Sequence, residues 1–231
     1  GGMTLGTALM REGYPDRPEY HDLAVIEPTR FRALVSIANR YGWRVGVHAV
    51  GDAAIDVVLD AYEAADAERP IRDRRFIVIH GSLMQPDQMD RAARLGVRVD
   101  AQTTFLWRKA RAVADYLGKA VADRAMPMRT MIDRMGLDLL GQGTDHPIND
   151  LDPFVNMAVM VTRRDAYGTL YGPEEAITRE EALRLYTSAA ARYAFRENDL
   201  GSLEPDKRAD LAILSHDILT VPDERLTEIR A

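Results

Sequence analysis

The sequence contains no cysteine among its 231 residues. This absence excludes disulfide bonds, thiolate metal ligands and a cysteine nucleophile, so histidine and carboxylates are the remaining metal ligands. There is also no run of about 18 apolar residues, and no basic region precedes an apolar stretch at the start. We therefore expect a cytoplasmic protein with no membrane partner. The chain opens at Gly1 and not at a methionine. The possibility of an upstream segment that carries a targeting sequence therefore stays open.

Positive charge is scarce as well. The 30 Lys and Arg residues are outnumbered by 36 Asp and Glu residues, which gives a formal net charge of −6. The basic residues are scattered among acidic ones, so we expect no nucleic-acid partner. No Gly-x-Gly-x-x-Gly or Walker-type loop follows a predicted strand, which weakens a nucleotide-binding interpretation. A small neutral or anionic molecule fits this composition better as a substrate.

Hydrophobic residues make up 46% of the sequence, enough for a sizeable core. Helical periodicity alternates with short apolar runs, which predicts an α/β protein with βα units and a parallel sheet. Either a barrel or an open doubly wound sheet satisfies this pattern. The predicted strands are 44–50, 75–79, 97–101 and 137–140, and the predicted helices are 30–41, 53–65, 86–95, 129–135, 153–161 and 179–189.

Capping residues mark several helix starts. Thr29 is the predicted N-cap of the first helix. Asp52 is the predicted N-cap of the second helix, with the orientation of a ligand or substrate as the alternative. The stretch Thr178-Arg-Glu-Glu181 has the form of a capping box. After the last helix, residues 209–214 predict a short strand outside the parallel sheet.

Three polar residues follow predicted strands at their carboxyl ends, namely His48, His80 and Asp145. Active sites of parallel α/β barrels lie at that end, so the three side chains are expected to converge. Taken alone, a histidine at a strand end is more often a hydrogen-bonded structural group, and an aspartate before proline is usually a turn former. Together they favour a divalent metal site, where the metal lowers the pKa of bound water to about 7. Asp145 would accept the water proton and deliver it to the leaving group.

Several further residues have weaker claims to substrate binding. His146 either faces the substrate or lies in a surface turn. Gln102, Phe105, Trp107 and Arg108 follow a strand end. They either line a pocket, with an aromatic wall and a cation for an acidic group, or pack an ordinary loop. Arg163, with the arginine after it, either binds a carboxylate or is solvated at a helix end.

Three motifs carry a resemblance to a known family. The stretch His48-Ala-Val-Gly-Asp-Ala-Ala-Ile55 resembles the HA-I/V-GD-x-A-I motif of amidohydrolase family 3, which includes N-substituted formamide deformylases. His80-Gly-Ser-Leu is similar to the second histidine motif of that family, and Gly143-Thr-Asp-His-Pro147 resembles its SD-x-P motif. The segment 178–211 is similar to the closing pattern of the family. The match spans most of the chain and keeps the order of the motifs.

The resemblance implies a TIM-type metal-dependent hydrolase barrel, with its later βα units in 1–195 and part of a small composite β domain in 196–231. It implies His48 and His80 as metal ligands, and Asp145 as catalytic acid/base and ligand or near-ligand. The implied cofactor is a divalent metal, zinc, with one or two ions. The implied reaction is hydrolysis of a non-peptide carbon–nitrogen bond, such as an N-acyl or N-formyl amide, by metal-activated hydroxide.

The sequence also departs from the family pattern. Ile79 stands where glutamate usually precedes the second histidine, Gly81 replaces a common alanine, and Asp206 replaces a glycine in the tail. The His-x-His pair and the metal-bridging carboxylated lysine of the family are absent from these residues. The chain therefore resembles the second half of a barrel.

These departures leave two other functions open. One is an inactive fragment or partner-binding half of such an enzyme. The other is a related barrel hydrolase that acts on esters or phosphotriesters, or a deaminase. The expected partners are a small-molecule substrate and either a second copy in a homo-oligomer or the missing N-terminal half.

Overall fold

A computed structural model describes residues 1–231. It contains four short strands, β1 (Gly46–Ala49), β2 (Ile77–His80), β3 (Arg98–Ala101) and β4 (Leu140–Gln142). The α-helices are α1 (Pro28–Arg40), α2 (Asp52–Glu68), α3 (Pro86–Leu95), α4 (Phe105–Leu117), α5 (Lys119–Arg124), α6 (Met128–Met135), α7 (Pro153–Thr162), α8 (Arg179–Tyr186) and α9 (Ser188–Tyr193). Short 3₁₀ helices occupy Met3–Leu5, Arg72–Arg74, Leu137–Leu139, Pro173–Glu175 and Asp223–Glu228. No helix combines the length and apolarity needed to cross a membrane.

The four strands form one parallel sheet in the order β1-β2-β3-β4. The predicted parallel sheet of βα units is therefore confirmed. Each strand lies beside the next in sequence, as in a barrel, and the order shows no reversal of the kind that defines a doubly wound sheet. The outer edges of β1 and β4 have no strand partner.

The strand register decides which side chains share a face. His48 pairs with Ile79, Ile79 with Asp100, and Asp100 with Gly141. Since paired residues of neighbouring strands point to the same side of a sheet, these four positions form one layer. In a barrel, such layers fill the interior.

The helix-facing side of the sheet is part of the main hydrophobic core. This core is a cluster of 36 buried residues that includes Val78, Val99 and Leu140 from the strands. Leu59 of α2 and Met89 of α3 belong to the same cluster and are fully buried. A second cluster of 14 buried residues joins α4 and α5 to the N-terminal segment. The sheet is thus held rigidly on the side opposite the layer that contains His48.

Two of the predicted caps are wrong by one or two residues. Glu27, and not Thr29, caps α1, because Pro28 already occupies the first helical turn and the Glu27 carboxylate accepts hydrogen bonds from the next two free N–H groups. Asp52 is the first residue of α2 and Gly51 is its N-cap. The Asp52 carboxylate instead accepts the backbone N–H of Arg11, at 2.8 Å. The capping box of Thr178 is confirmed.

The fourth strand lies later than predicted. Leu137–Leu139 form a 3₁₀ helix, and the strand begins at Leu140 and runs to Gln142. An apolar run such as 137–140 fits a buried 3₁₀ turn as well as a strand, since both bury leucines. The shift places Asp145 three residues after the end of β4.

The predicted strand at 209–214 is not formed. These residues have no strand hydrogen bonds, and Leu211 and Ile213 are 63% and 84% exposed. An extended segment becomes a strand only when another strand supplies its hydrogen-bond partners, and none lies beside it within residues 1–231. The small β domain at 196–231 therefore stays a prediction.

Candidate metal centre

The two predicted histidine ligands lie side by side. His48 is the third residue of β1, and His80 is the last residue of β2. Their ring centroids are 4.5 Å apart, with the rings edge to face at 79°. The His80 side chain is buried, whereas His48 is exposed. The structure thus brings together two residues that are far apart in sequence.

This contact depends on an unusual backbone conformation at His80. The register pairs His80 with Ala49 and not with His48, so in regular strands the two histidines would point to opposite sides. His80 has a φ of 75°, in the left-handed region, and Gly81 follows with a φ of 58°. The departure from strand geometry turns the His80 ring to the side of His48. A positive φ is uncommon outside glycine and is concentrated at functional sites.

The histidine pair lines a cavity of about 180 Å³, which we call the candidate cavity. Asp145 lines it too, on the loop after β4, where its φ is 58°. The remaining lining residues are Gly2, Met3, Thr4, Leu5, Val50, Ser82, Phe105 and Ile148. All three predicted site residues therefore face one cavity.

The three side chains do not by themselves form a complete metal site. Within residues 1–231, no group of three or more His, Cys, Asp or Glu side chains is arranged to hold an ion. The donor chemistry nevertheless fits part of such a site. His48 Nε2 lies 2.7 Å from the Gly1 carbonyl oxygen, and His80 Nδ1 lies 2.6 Å from Gln102 Oε1. Each imidazole therefore keeps its other nitrogen free.

The environment of His80 favours the neutral imidazole. Burial lowers its pKa, and the neighbouring His48 lowers it further. A neutral imidazole is the form that binds a metal ion. The surroundings of His80 thus suit a ligand better than a proton carrier.

Of the residues with weaker claims, Phe105 lines the candidate cavity and Gln102 reaches the histidine pair. Gln102 contacts the His80 ring and not the cavity space. His146 is exposed, with its Nδ1 3.3 Å from the Asn149 carbonyl oxygen. Neither it nor Trp107 and Arg108 lines the candidate cavity. The aromatic wall is Phe105, whose ring centroid is 6.0 Å from that of His80.

Arg163 lies elsewhere and does not bind a carboxylate. Its side chain is buried, and its guanidinium donates hydrogen bonds to four backbone carbonyl groups. It therefore has a structural role.

A larger cavity, of about 350 Å³, lies near Arg11 and contains no histidine. The Arg11 guanidinium is already paired with Asp56 and Asp87. This cavity is therefore a weaker candidate for chemistry than the smaller one.

Asp100 is a residue that the sequence analysis missed. It belongs to the layer that contains His48, and burial raises the pKa of its carboxyl group to about 6, with a further contribution from Asp145. A signal was present, since Asp100 is an acidic residue between Val99 and Ala101, which are both fully buried.

We expect the Asp100→Asn substitution to stabilise the metal-free protein in a pH-dependent way. The folded-state pKa of about 6 lies above the ordinary 3.8, so the folded state binds more protons between these values. The free energy of unfolding of the wild type therefore falls as the pH rises from about 4 to about 6, and it stays at the lower value above pH 6. The variant lacks this loss, so its advantage is largest above about pH 7.

Urea denaturation in the presence of a chelator measures this difference. Asp150→Asn, on an exposed residue, is the control and is expected to show no such trend. An advantage of Asp100→Asn that does not change with pH would contradict the raised pKa.

Solved hydrolase structures have the same fold as this chain. A solved structure described as an uncharacterized metal-dependent hydrolase from Pyrococcus furiosus superposes with a TM-score of 0.79 at 33% identity, covering 95% of this chain and 43% of that chain. The model of the amidohydrolase family matches residues 1–231. The chain belongs to the amidohydrolase family.

Two curated relatives also align with nearly the whole of this chain but with less than half of their own length. The chain is 34% identical over 218 residues to Protein LONG AFTER FAR-RED 3 of Arabidopsis thaliana, covering 93% of this chain and 37% of that protein. It is 30% identical over 218 residues to N-substituted formamide deformylase of Arthrobacter pascens, again covering 93% and 37%. The chain thus spans about two-fifths of the length of the relatives it matches.

Proposed function

We propose that this chain is part of a metal-dependent hydrolase that cleaves a non-peptide carbon–nitrogen bond, with an N-formyl or N-acyl amide as substrate. The observation that carries the proposal is the edge-to-face pair of His48 and His80 in one cavity with Asp145. The amide class is supported by the relative named N-substituted formamide deformylase, at 30% identity.

The chain supplies part of a set of ligands for zinc. The complete site would hold one or two zinc ions. The free nitrogens, His48 Nδ1 and His80 Nε2, would bind the metal, with Asp145 as ligand or near-ligand. Catalytic zinc sites use about three protein ligands and keep one position open, so we propose that residues outside 1–231 complete the set. When bound, the metal supplies Lewis acidity that polarises the scissile carbonyl and makes hydroxide available near neutral pH.

The other steps belong to residues of this chain. The Asp145 carboxylate accepts the proton of the attacking water and returns it to the leaving nitrogen. Its position on a loop at the carboxyl end of the sheet leaves it exposed enough to reach a substrate. Phe105 forms an apolar wall beside His80 and limits the access of water from that side.

The experiment compares the purified full-length enzyme with its His80→Ala variant. Metal content is measured, and turnover is screened with N-formyl amides, cyclic amides, esters and phosphotriesters. We expect the wild type to hold zinc and hydrolyse amides, and His80→Ala to lose both, because it removes a ligand. His21→Ala is the control, since His21 does not line the candidate cavity.

Two outcomes would overturn the proposal. Unchanged turnover in His80→Ala would exclude the site, and turnover confined to esters or phosphotriesters would exclude the bond type. A metal-free protein without turnover would favour an inactive, partner-binding half.

A further inference from the structure

We propose that Gln102 is a positioning residue that holds His80 as the Nδ1-protonated tautomer and directs its unprotonated Nε2 into the candidate cavity. The tautomer follows from hydrogen bonding alone. Its consequence for metal binding rests on the proposed function.

The first step is the orientation of the Gln102 amide. Its Nε2 donates a hydrogen bond of 2.8 Å to the backbone carbonyl oxygen of Asp100. A carbonyl oxygen only accepts hydrogen bonds, so the amide nitrogen has to face it. A flipped amide would place two oxygens against each other. The Oε1 end of Gln102 therefore faces His80.

The second step is the proton on the His80 ring. Gln102 Oε1 only accepts hydrogen bonds, and it lies 2.6 Å from His80 Nδ1, so Nδ1 carries the hydrogen. A neutral imidazole has one N–H group, which leaves Nε2 as a free lone pair.

The third step is that nothing replaces Gln102 if it is lost. His80 and Gln102 are only 6% and 3% exposed, so water has little access to satisfy the ring nitrogen. Buried polar groups without a partner are costly, by about 1–3 kcal/mol. The ring would then regain the freedom to rotate or to exchange its proton between the two nitrogens.

The backbone at His80 explains why the ring needs lateral support. His80 and Gly81 both have positive φ values, so the ring departs from the direction that a regular strand would give it. A side chain at Gly81 would place its Cβ 2.8 Å from Val99 Cγ1, so this turn has no room for a bracing side chain of its own. Gln102, directly after β3, supplies the support from the neighbouring strand.

The test reads the tautomer directly. Ring nitrogen chemical shifts of ¹⁵N-histidine-labelled, metal-free protein distinguish Nδ1–H from Nε2–H. We expect Nδ1–H at His80 in the wild type. We expect the same in Gln102→Glu, whose buried carboxyl group, when protonated, keeps both an acceptor oxygen for His80 and a donor for the Asp100 carbonyl oxygen. In Gln102→Leu we expect a mixture of tautomers. Zinc affinity, measured by competition with a chelating dye, is expected to fall about 10- to 100-fold in Gln102→Leu and to be retained in Gln102→Glu.

Gln142→Leu is the matched control. Gln142 is also a glutamine at a strand end, and its amide contacts Thr103, Asn156 and Met128 but not His80. The Gln142→Leu variant is expected to leave the His80 tautomer unchanged. A change of tautomer in Gln102→Leu would then be due to the loss of Gln102 itself and not to a general effect of removing a glutamine from the interior.

The outcomes separate this proposal from the proposed function. The positioning role would be overturned if His80 carried its proton on Nε2 in the wild type. If Gln102→Leu does not fold, the same result in Gln102→Glu would overturn it. An unchanged tautomer and zinc affinity in Gln102→Leu would do the same. A tautomer that shifts as expected in a protein that binds no zinc would support the role of Gln102 and overturn the proposed metal chemistry.

Discussion

Replacing Asp145 with asparagine in the full-length enzyme is expected to lower kcat by about 10²- to 10⁴-fold, the usual contribution of a general acid/base. Asparagine has nearly the shape of aspartate but no basic oxygen, so the proton of the attacking water has no acceptor. Under the proposed function, zinc is expected to stay bound, because His48 and His80 remain in the candidate cavity and the asparagine keeps one oxygen that can act as ligand. Steady-state kinetics and metal analysis of the same preparation measure the two effects separately.

Asp150→Asn is the control for this substitution. Asp150 lies on the same loop, five residues further along, and does not line the candidate cavity. We expect its kcat to equal that of the wild type. If Asp145→Asn also kept the full kcat, Asp145 would not carry the proton, and another group would have to do so.

Replacing Arg163 with methionine is expected to lower the free energy of unfolding by about 3 kcal/mol. Arg163 is 1% exposed, and its guanidinium donates hydrogen bonds to the carbonyl oxygens of Asp123, Ala125, Met126 and Tyr171. Methionine fills the aliphatic part of the space but donates no hydrogen bond. Of the four carbonyl oxygens, that of Met126 keeps the backbone N–H of Met128 as a donor, and the other three lose theirs. Removal of a costly buried charge offsets part of the loss. Urea denaturation followed by circular dichroism measures the change.

Arg164→Met provides the comparison at the next residue. Arg164 is exposed, and its side chain donates one hydrogen bond, to the Gly168 carbonyl oxygen. Exposed substitutions of this kind usually change stability by less than about 0.5 kcal/mol. Equal losses in the two variants would show that the buried hydrogen bonds of Arg163 are not the source of the effect.

Local features of the sequence were sufficient to predict several elements. Helix α3 has the predicted bounds, because Pro86 fits the first helical turn and Gly96 accepts the left-handed conformation at its end. The capping box at Thr178 works in the same way, since its hydrogen bonds join residues three apart. Such signals are independent of the rest of the fold, so they can be recognised from the sequence alone.

The candidate site was predictable only in part. His48, His80 and Asp145 were found from their positions after apolar runs, and the structure places them at one cavity. Asp100 and the contact of Gln102 with His80 depend on the register between β2 and β3, which no local pattern contains. The left-handed turn that brings the His80 ring beside His48 was likewise not visible in the sequence.

The sequence by itself thus determined the order of the βα units and the family, and it pointed to the three candidate site residues, because these depend on short-range periodicity and motifs. Only the tertiary structure shows that Gln102 contacts the His80 ring and that Arg163 is buried among backbone carbonyl groups. It alone also shows that residues 209–214 have no neighbouring strand. The physical reason is the same in each case. A hydrogen bond or a strand needs a partner, and that partner comes from residues distant in the chain, so only the folded arrangement shows whether it is there.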